Sequence, residues 1–281
     1  MILISDSGAT KASWCLINDG EVCLEFTSVG INAALTTQKH LAQRIATDVM
    51  PQLFSYVSDI KRVYFYGAGC VPDVCTDVKY TLKSYFVNAA VEVHSDMLGV
   101  CRALCGNQPG VVCILGTGAN SCLYDGQKIT DNVPALGYIL GDEGSGAYLG
   151  KMLVSDVFKR QLPIDICKEF LERYDLDVQK VVQSVYRSES PSRFLASFTP
   201  FLKEKISDTH IHNLVAGAFR AFFDRNVCAY DYAKELTQVY FCGSIAYYFK
   251  DILTDIAKEK GINIGGIVRQ PMEGLIKYHS L

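Results

Sequence analysis

The start of the chain alternates between apolar runs and short polar segments. Apolar residues dominate Ile2 to Ser5, Ala12 to Ile17 and Val22 to Val29. Asn18-Asp19-Gly20 separates the last two runs, and an Asp-Gly pair between β-rich runs is a strong signal of a hairpin turn. The pattern therefore predicts three consecutive strands.

A helical pattern follows these strands. Leu41, Ile45, Val49 and Leu53 recur at the spacing of one helix face. Pro51 is expected to kink or shorten this helix because proline has no backbone N–H to donate. Further apolar runs predict a strand over 63–66, a helix within 74–89, a strand over 91–93 and a short helix after residue 96. The predicted order of elements is βββαβαβα.

The same order begins again after residue 110. The pattern predicts strands over 111–115 and 121–124, a hairpin turn at 125–126, a long helical region over 145–235, a strand over 239–242, a helix over 246–260, a strand near 263–268 and a last helix from 272. The residues themselves do not repeat, but the repeated order predicts a duplicated α/β architecture. The turn-rich segment 106–110 is expected to separate the two copies.

The composition is that of ordinary globular protein, with 49% apolar and 20% charged residues. The 281 residues suffice for one large domain or two compact ones. A net charge of −3 and the lack of a Lys/Arg cluster argue against a nucleic-acid partner. No apolar run approaches the roughly 18 residues of a membrane helix, and the first residues lack the basic region of a signal peptide. We expect a cytoplasmic protein without a membrane partner.

The cysteines indicate a reducing environment. None of the 11 has the two-residue spacing of a zinc or thioredoxin-like site. Most lie in apolar, strand-like runs, which predicts buried and reduced thiols rather than a disulfide framework.

Two loops of small residues occupy equivalent places in the two repeats. Asp6-Ser7-Gly8-Ala9-Thr10-Lys11 and Leu115-Gly116-Thr117-Gly118-Ala119-Asn120-Ser121 each lie between two predicted strands. Small residues let backbone N–H groups approach phosphate oxygens, and a leading acid such as Asp6 is suited to hold hydrated Mg²⁺. A plain hairpin turn is the alternative for each loop. The second loop resembles a dinucleotide-binding fingerprint, but a strand follows it where that fingerprint requires a helix.

Three further segments carry candidate groups. A predicted strand runs into a helix at Phe241-Cys242-Gly243-Ser244-Ile245-Ala246. Such a junction suits the binding of an adenosine or phosphate group. The alternative is an ordinary turn in which Ser244 is the N-cap of the helix. In Gly141-Asp142-Glu143-Gly144-Ser145-Gly146 the acids suit sugar hydroxyls, a metal or helix capping. Asp96 ends a strand, where it could accept a hydroxyl proton or cap the next helix.

These segments, in this order, resemble those of the actin-like ATPase superfamily. More closely, the chain is similar to N-acetylglucosamine kinases, in a group that also includes activase ATPases of benzoyl-CoA reductase and hydroxyacyl-CoA dehydratase. The matching segments are the phosphate loops at 6–11 and 116–121, Gly243-Ser244, Asp96, the block 141–145 and Gly30-Ile31-Asn32. The chain departs from the family pattern at two places. Ser7 and Ala9 occupy positions where the family usually has glycine, and Leu136 corresponds approximately to a tryptophan that often precedes the acidic block in animal members.

The resemblance implies an α/β fold of two ribonuclease H-like domains with a nucleotide cleft between them. The expected domains are 1–108 plus 268–281, and 109–267 with a helical insertion. The implied reaction moves the γ-phosphate of ATP to the 6-hydroxyl of N-acetylglucosamine or a close amino sugar, with Asp96 as base and Mg²⁺ at Asp6. The implied nucleotide-binding residues are Asp6, Gly8, Thr10, Lys11, Gly116, Thr117, Gly118, Gly243 and Ser244. The implied sugar-binding residues are Asn32, Asp96, Thr117, Gly137 and Asp142.

Other functions remain open at this stage. An activase ATPase would need cysteines for a shared iron–sulfur cluster, and Cys101 and Cys105 are the nearest candidates. A nucleotide-binding sensor without a sugar substrate is a third hypothesis. A homodimer is also open, although the helical spacing of Phe219, Phe222 and Phe223 favours core packing over a dimer face.

Overall fold

The computed structural model describes residues 1–8, 11–34, 36–232 and 237–280. The chain forms two compact units. The N-terminal unit comprises Met1–Gln108, Asp125–Lys128 and Gln270–Leu281, and the C-terminal unit comprises Pro109–Tyr124 and Ile129–Arg269.

The strands and helices follow the predicted order, with a short strand over Ile129–Asp131 and a short helix over Gly137–Leu140 in addition. The strands are β1 (Ile2–Ser7), β2 (Lys11–Asn18), β3 (Glu21–Val29), β4 (Arg62–Gly67), β5 (Ala90–Ser95), β6 (Gly110–Leu115), β7 (Ala119–Tyr124), β8 (Ile129–Asp131), β9 (Val239–Cys242) and β10 (Ile264–Val268). The α-helices are α1 (Gln38–Arg44), α2 (Met50–Leu53), α3 (Pro72–Tyr85), α4 (Asp96–Cys105), α5 (Gly137–Leu140), α6 (Gly146–Phe158), α7 (Ile164–Arg173), α8 (Val178–Tyr186), α9 (Pro191–Ala196), α10 (Thr199–Glu204), α11 (Thr209–Arg225), α12 (Ser244–Tyr248), α13 (Lys250–Glu259) and α14 (Met272–His279).

Each unit contains one five-stranded sheet, and the two sheets have the same topology. The strand order is β3-β2-β1-β4-β5 in the N-terminal unit and β8-β7-β6-β9-β10 in the C-terminal unit. In both sheets the first strand pairs antiparallel with the second and parallel with the fourth. The duplicated α/β fold expected from the sequence is therefore confirmed.

The sheet of the N-terminal unit has an apolar cluster on each face. The larger cluster includes Trp14, Phe65 and the helical residues Leu41 and Leu53. The smaller cluster joins the opposite face to the last helix, α14, through Leu275. Side chains alternate between faces along a strand, so the three central strands β1, β2 and β4 contribute to both clusters.

Pro51 interrupts the first helical segment as expected. The segment consists of α1, a five-residue π-helical turn over Ile45–Val49, and α2, which has Pro51 in its first turn. The N–H of Met50 donates to the carbonyl of Ile45, five residues earlier. A regular helix would lose one hydrogen bond at Pro51, because proline has no N–H. The π-helical turn changes the hydrogen-bond spacing from four to five residues directly before this position.

The C-terminal unit has a larger apolar core because, in the part of the chain that the structure describes, seven α-helices, α5 to α11, lie between its third and fourth strands. Phe219, Phe222 and Phe223 of α11 are fully buried in this core. Their packing favours the core over a dimer face, as their spacing indicates.

No disulfide joins any of the 11 cysteines, and most of their side chains are buried. Within the described parts of the chain, no helix combines the length and the apolar character needed to span a bilayer.

Candidate functional site

The first candidate phosphate loop is the turn between β1 and β2. Asp6 lies near the end of β1, opposite Ser13 of β2 and Tyr66 of β4. The N–H of Gly8 donates to the carbonyl of Lys11 at 3.0 Å, which closes the turn. The Lys11 side chain is exposed. Thr10 lies outside the described residues.

Asp6 and Asp96 form a pair of interacting carboxyl groups in the N-terminal unit. Burial and the charge of Asp96 raise the pKa of Asp6 from 3.8 to about 7. Burial also raises the pKa of Asp96, although backbone N–H groups partly offset this rise by favouring the ionised form. Two acidic groups that are costly to ionise together attract a cation.

Asp96 is the first residue of α4, directly after β5. The N-cap of α4 is Ser95, whose hydroxyl accepts from Leu98 N at 3.2 Å, so the capping alternative for Asp96 is wrong. Asp96 Oδ1 accepts from Met97 N at 2.9 Å. Oδ1 is thus held by the backbone at the start of α4.

Asn32 follows β3 in an irregular segment that contacts the end of β4. Asn32 Oδ1 accepts from Ala34 N at 3.1 Å, which leaves the Nδ2 group to donate to a ligand. The N–H of Ala33 donates to the carbonyl of Ala68 at 2.9 Å. Gly69 has a φ of +71°, and a Cβ at this position would lie 2.3 Å from Asn32 Oδ1. Glycine is therefore required here by both conformation and space.

In the C-terminal unit, the second candidate phosphate loop is the turn between β6 and β7. The N–H of Gly116 donates to the carbonyl of Gly118 at 3.0 Å, and the Thr117 side chain is exposed. The N–H groups of Gly146 and Ala147, at the start of α6, donate to the carbonyls of Gly116 and Thr117 at 2.8 and 3.0 Å. The acidic block before α6 is thus attached to this loop.

The two acids of that block have different roles. Glu143 accepts from Arg225 Nη1 at 3.1 Å and is almost fully buried, so it is engaged in an ion pair. Asp142 adopts a φ of +56° and lies against the loop, where a Cβ on Gly118 would be 3.0 Å from Asp142 Oδ2. Burial raises the pKa of Asp142, and a hydrogen bond from the N–H of Ala119 lowers it.

Gly137, another predicted sugar-binding residue, begins α5 with a φ of +74°. Its carbonyl accepts from Gly141 N at 2.8 Å, so the short helix leads directly to the acidic block. Leu136, before it, is exposed.

Gly243 forms the turn between β9 and α12. Its φ is +120°, and a Cβ would lie 2.3 Å from the carbonyl oxygen of Leu115, next to the second phosphate loop. Gly243 is itself the N-cap of α12, and Ser244 is the first helical residue, so the prediction of Ser244 as N-cap is wrong.

A cavity of about 540 Å³ opens beside Ser244. The residues that line it are Thr199, Pro200, Lys203, Glu204, Ser244, Ile245, Tyr248 and Phe249. Sequence reasoning found only Ser244 of this set. The residues of α10 lie far from Ser244 in the sequence. The spacing of apolar residues predicts which face of a helix is buried, but it does not predict which other helix packs against that face.

The structure thus assembles two groups, each within one unit. The N-terminal unit brings together Asp6, Gly8, Lys11, Asn32 and Asp96 around the carboxyl ends of its strands. The C-terminal unit brings together the predicted residues Gly116, Thr117, Gly118, Gly137, Asp142, Gly243 and Ser244.

Mg²⁺ fits the acidic groups of the N-terminal unit. Mg²⁺ usually keeps several waters and takes only one or two protein carboxylates in addition to substrate phosphates. The half-buried carboxylate of Asp6 meets this requirement, and a divalent cation beside it would offset the rise in its pKa. Among the described residues, no cluster of three His, Cys, Asp or Glu side chains forms a site made of protein ligands alone. The side chains of Cys101 and Cys105, in α4, are buried. An iron–sulfur cluster shared between subunits would require thiols that are accessible at the surface.

Comparisons with known proteins give matches only among solved structures. No protein-family model and no curated protein matches the chain. A crystal structure of a proposed N-acetylglucosamine kinase from Porphyromonas gingivalis is 41% identical, with a TM-score of 0.97, and the match covers 100% of this chain and 99% of that one.

Two more distant structures share the fold. A proposed N-acetylglucosamine kinase from Chromobacterium violaceum is 18% identical, with a TM-score of 0.68 and coverage of 99% of this chain and 98% of that one. A ROK-family glucokinase from Streptomyces griseus, in complex with glucose and AMPPNP, is 13% identical, with a TM-score of 0.57 and coverage of 99% and 97%.

Proposed function

The chain belongs to the N-acetylglucosamine kinase family of actin-like ATPases, and we propose that it transfers the γ-phosphate of ATP to the 6-hydroxyl of N-acetylglucosamine or a close amino sugar. The observation that carries the proposal is the half-buried, interacting pair Asp6 and Asp96 beside the first candidate phosphate loop. One carboxylate suits a hydrated cation, and the other suits a hydroxyl proton. A cytoplasmic location would agree with the supply of ATP.

Asp96 would act as the general base. As the sugar O6 forms a bond to the γ-phosphorus, the bond from that phosphorus to the bridging oxygen of ADP breaks, and the O6 proton passes to Asp96 Oδ2. Burial raises the pKa of Asp96, which makes its carboxylate a stronger proton acceptor than an exposed aspartate. The Met97 N–H on Oδ1 fixes its orientation. Phosphoryl transfer depends mostly on such positioning and on charge stabilisation.

Each candidate loop suits phosphate oxygens. In the N-terminal unit Lys11 would supply a cation and Thr10 a hydroxyl, whereas the Gly8 N–H already closes the turn. In the C-terminal unit Thr117 would supply a hydroxyl and Gly118 an N–H group, whereas the Gly116 N–H is bonded to the Gly118 carbonyl. Mg²⁺ bound through Asp6 would neutralise charge on the phosphate oxygens.

The cavity beside Ser244 would take the adenine base. It is lined mostly by apolar atoms, with Tyr248 and Phe249 as aromatic surfaces, and Gly243 joins it to the second phosphate loop. Its volume of about 540 Å³ falls within the range of ordinary ligand pockets.

The sugar would be bound by polar groups that the fold leaves available. Asn32 Nδ2 can donate to a hydroxyl, because Ala34 N occupies Oδ1. Asp142 can accept from hydroxyls, because Glu143, not Asp142, is paired with Arg225. Thr117 and the backbone at Gly137 would complete the contacts.

The test is coupled ADP release with Mg·ATP and a panel of sugars: N-acetylglucosamine, glucosamine, N-acetylmannosamine, N-acetylmuramic acid and glucose, with a control that lacks sugar. We expect release that depends on one amino sugar. Slow release that is indifferent to every sugar would contradict the proposal and favour an activase or a sensor.

A further inference from the structure

Ser7 is a fully buried serine whose hydroxyl bonds to a distant segment of the chain. Its Oγ accepts from Ile31 N at 2.9 Å and donates to the Ile31 carbonyl at 3.2 Å. One side chain therefore satisfies both backbone groups of Ile31. Ser7 directly follows Asp6, and Ile31 directly precedes Asn32. These hydrogen bonds therefore join the end of β1 to the segment that contains Asn32.

The backbone around Ser7 strengthens the same connection. The Ser7 carbonyl accepts from Ala68 N at 2.8 Å, and the Ala68 carbonyl accepts from Ala33 N at 2.9 Å. Asn32 thus lies between Ile31, which is held by the Ser7 hydroxyl, and Ala33, which is held by the Ala68 carbonyl. Both attachments of this segment lead back to the end of β1.

We propose that Ser7 is a positioning residue that holds Asn32 at the distance from the phosphate loop that sugar phosphorylation requires. The inference rests on the proposed function, because it assigns Asn32 to the sugar. A glycine at this position would lack the hydroxyl, and the buried N–H of Ile31 would lose its partner. Ser7 therefore supplies two hydrogen bonds that a glycine could not make.

Other contacts keep the loss of the Ser7 hydroxyl local. The turn after Ser7 is closed by its own bond from Gly8 N to the Lys11 carbonyl, so the phosphate contacts do not depend on the hydroxyl. The Gly30 carbonyl accepts from Arg44 Nη1 at 2.7 Å, so one end of the segment remains attached. We expect the segment to loosen at Ile31 and Asn32 and the fold to persist.

Ser5 provides a matched control. It lies two residues earlier on β1, on the same face, and is also fully buried. Its Oγ has no hydrogen-bond partner among the residues that the structure describes. Ser5→Ala and Ser7→Ala therefore remove the same atom from the same strand, and only the second breaks hydrogen bonds.

The kinetic test compares the two variants with the wild type. We expect Ser7→Ala to raise the KM for the amino sugar about tenfold, because the buried backbone groups of Ile31 lose their hydrogen-bond partner. We expect its KM for ATP to change less than about twofold, and Ser5→Ala to match the wild type in both constants. Equal rises in both constants for Ser7→Ala would overturn the proposal, as would an unchanged KM for the sugar.

Hydrogen exchange tests the connection without any activity. In Ser7→Ala the amide of Ile31 should exchange about ten times faster than in the wild type, whereas Ser5→Ala should leave it unchanged. Unchanged exchange in Ser7→Ala would refute the positioning role. If the wild type phosphorylated no sugar, the proposed function would fail, and the exchange result would still decide whether Ser7 holds the segment.

Discussion

At the residue scale, Asp6 and Asp96 carry most of the proposed chemistry. Each is buried enough to have a raised pKa, and Asp96 adds to the effect on Asp6 through its charge. Such an arrangement opposes ionisation of both groups in the metal-free protein, and a bound divalent cation reverses that preference. We therefore expect Mg²⁺ to shift the ionisation of the pair.

The first prediction concerns the titration of Asp6. In metal-free protein its carboxyl carbon should titrate near pH 7 by NMR. Asp96→Asn should lower the pKa of Asp6, because the neighbouring charge is removed, but not to 3.8, because burial is the larger cause. Mg²⁺ with ATP should lower it further.

Asp125 is the internal control for this titration. It is exposed, and N–H groups of Lys128 and Gln127 lower its pKa. It should not respond to Asp96→Asn. An Asp6 carboxyl that titrates near pH 4 in metal-free protein would contradict the account of the pair.

At the scale of elements, the last helix is attached to the N-terminal sheet through His279. Arg102 Nη1 donates to Tyr66 Oη at 2.8 Å, and Tyr66 Oη lies 2.8 Å from His279 Nε2. Because arginine can only donate, the Tyr66 proton is directed to Nε2, which must then be unprotonated. Gly274 brings α14 close to α4, since a Cβ there would lie 2.3 Å from the Ala103 carbonyl oxygen.

The second prediction concerns this attachment at low pH. Burial, followed by the charge of Arg102, lowers the pKa of His279 from 6.5 to about 4. The unfolded chain therefore takes up a proton before the folded chain does, so stability is lost as the pH falls from 6.5 to 4. His94 and Arg62 also lower this pKa, and Glu92 raises it.

His279→Gln removes the titration and keeps an acceptor for Tyr66. Across this pH range the unfolding free energy of the wild type should fall more than that of the variant, by about 1–2 kcal/mol after allowance for partial exposure of the ring. The measurement is urea unfolding of both proteins at pH 7, 5.5 and 4. A parallel fall in the two proteins would remove His279 from this role.

Several elements could be predicted from the sequence because their signals are local. The Asp19-Gly20 turn requires two positive φ angles, and the residues have φ values of +51° and +85°. Pro51 forces a change in the helix because one N–H is missing. The Ser95 cap was missed because Ser95 and Asp96 are adjacent and either residue type can cap a helix. The cavity beside Ser244 was missed because it depends on the packing of two distant helices.

At the scale of the whole molecule, the duplicated order predicted both sheets. Each sheet places its first strand at the centre, between the second and fourth strands. A glycine-containing turn therefore follows the central strand in each unit, and the candidate phosphate loops occupy these turns. The proposed roles of Asn32, Asp96 and Asp142 depend on side-chain positions that element order does not determine.

Product analysis of wild type and Asp96→Asn tests the central claim most directly. Mg·ATP and the sugar that stimulates ADP release are incubated with each protein, and phosphorus NMR follows the products. The account predicts a phosphomonoester coupled to the C6 protons and equimolar with ADP for the wild type. Asp96→Asn should form it at least about 10² times more slowly, while still binding ATP. ADP without a sugar phosphate, or full activity of Asp96→Asn, would contradict the account.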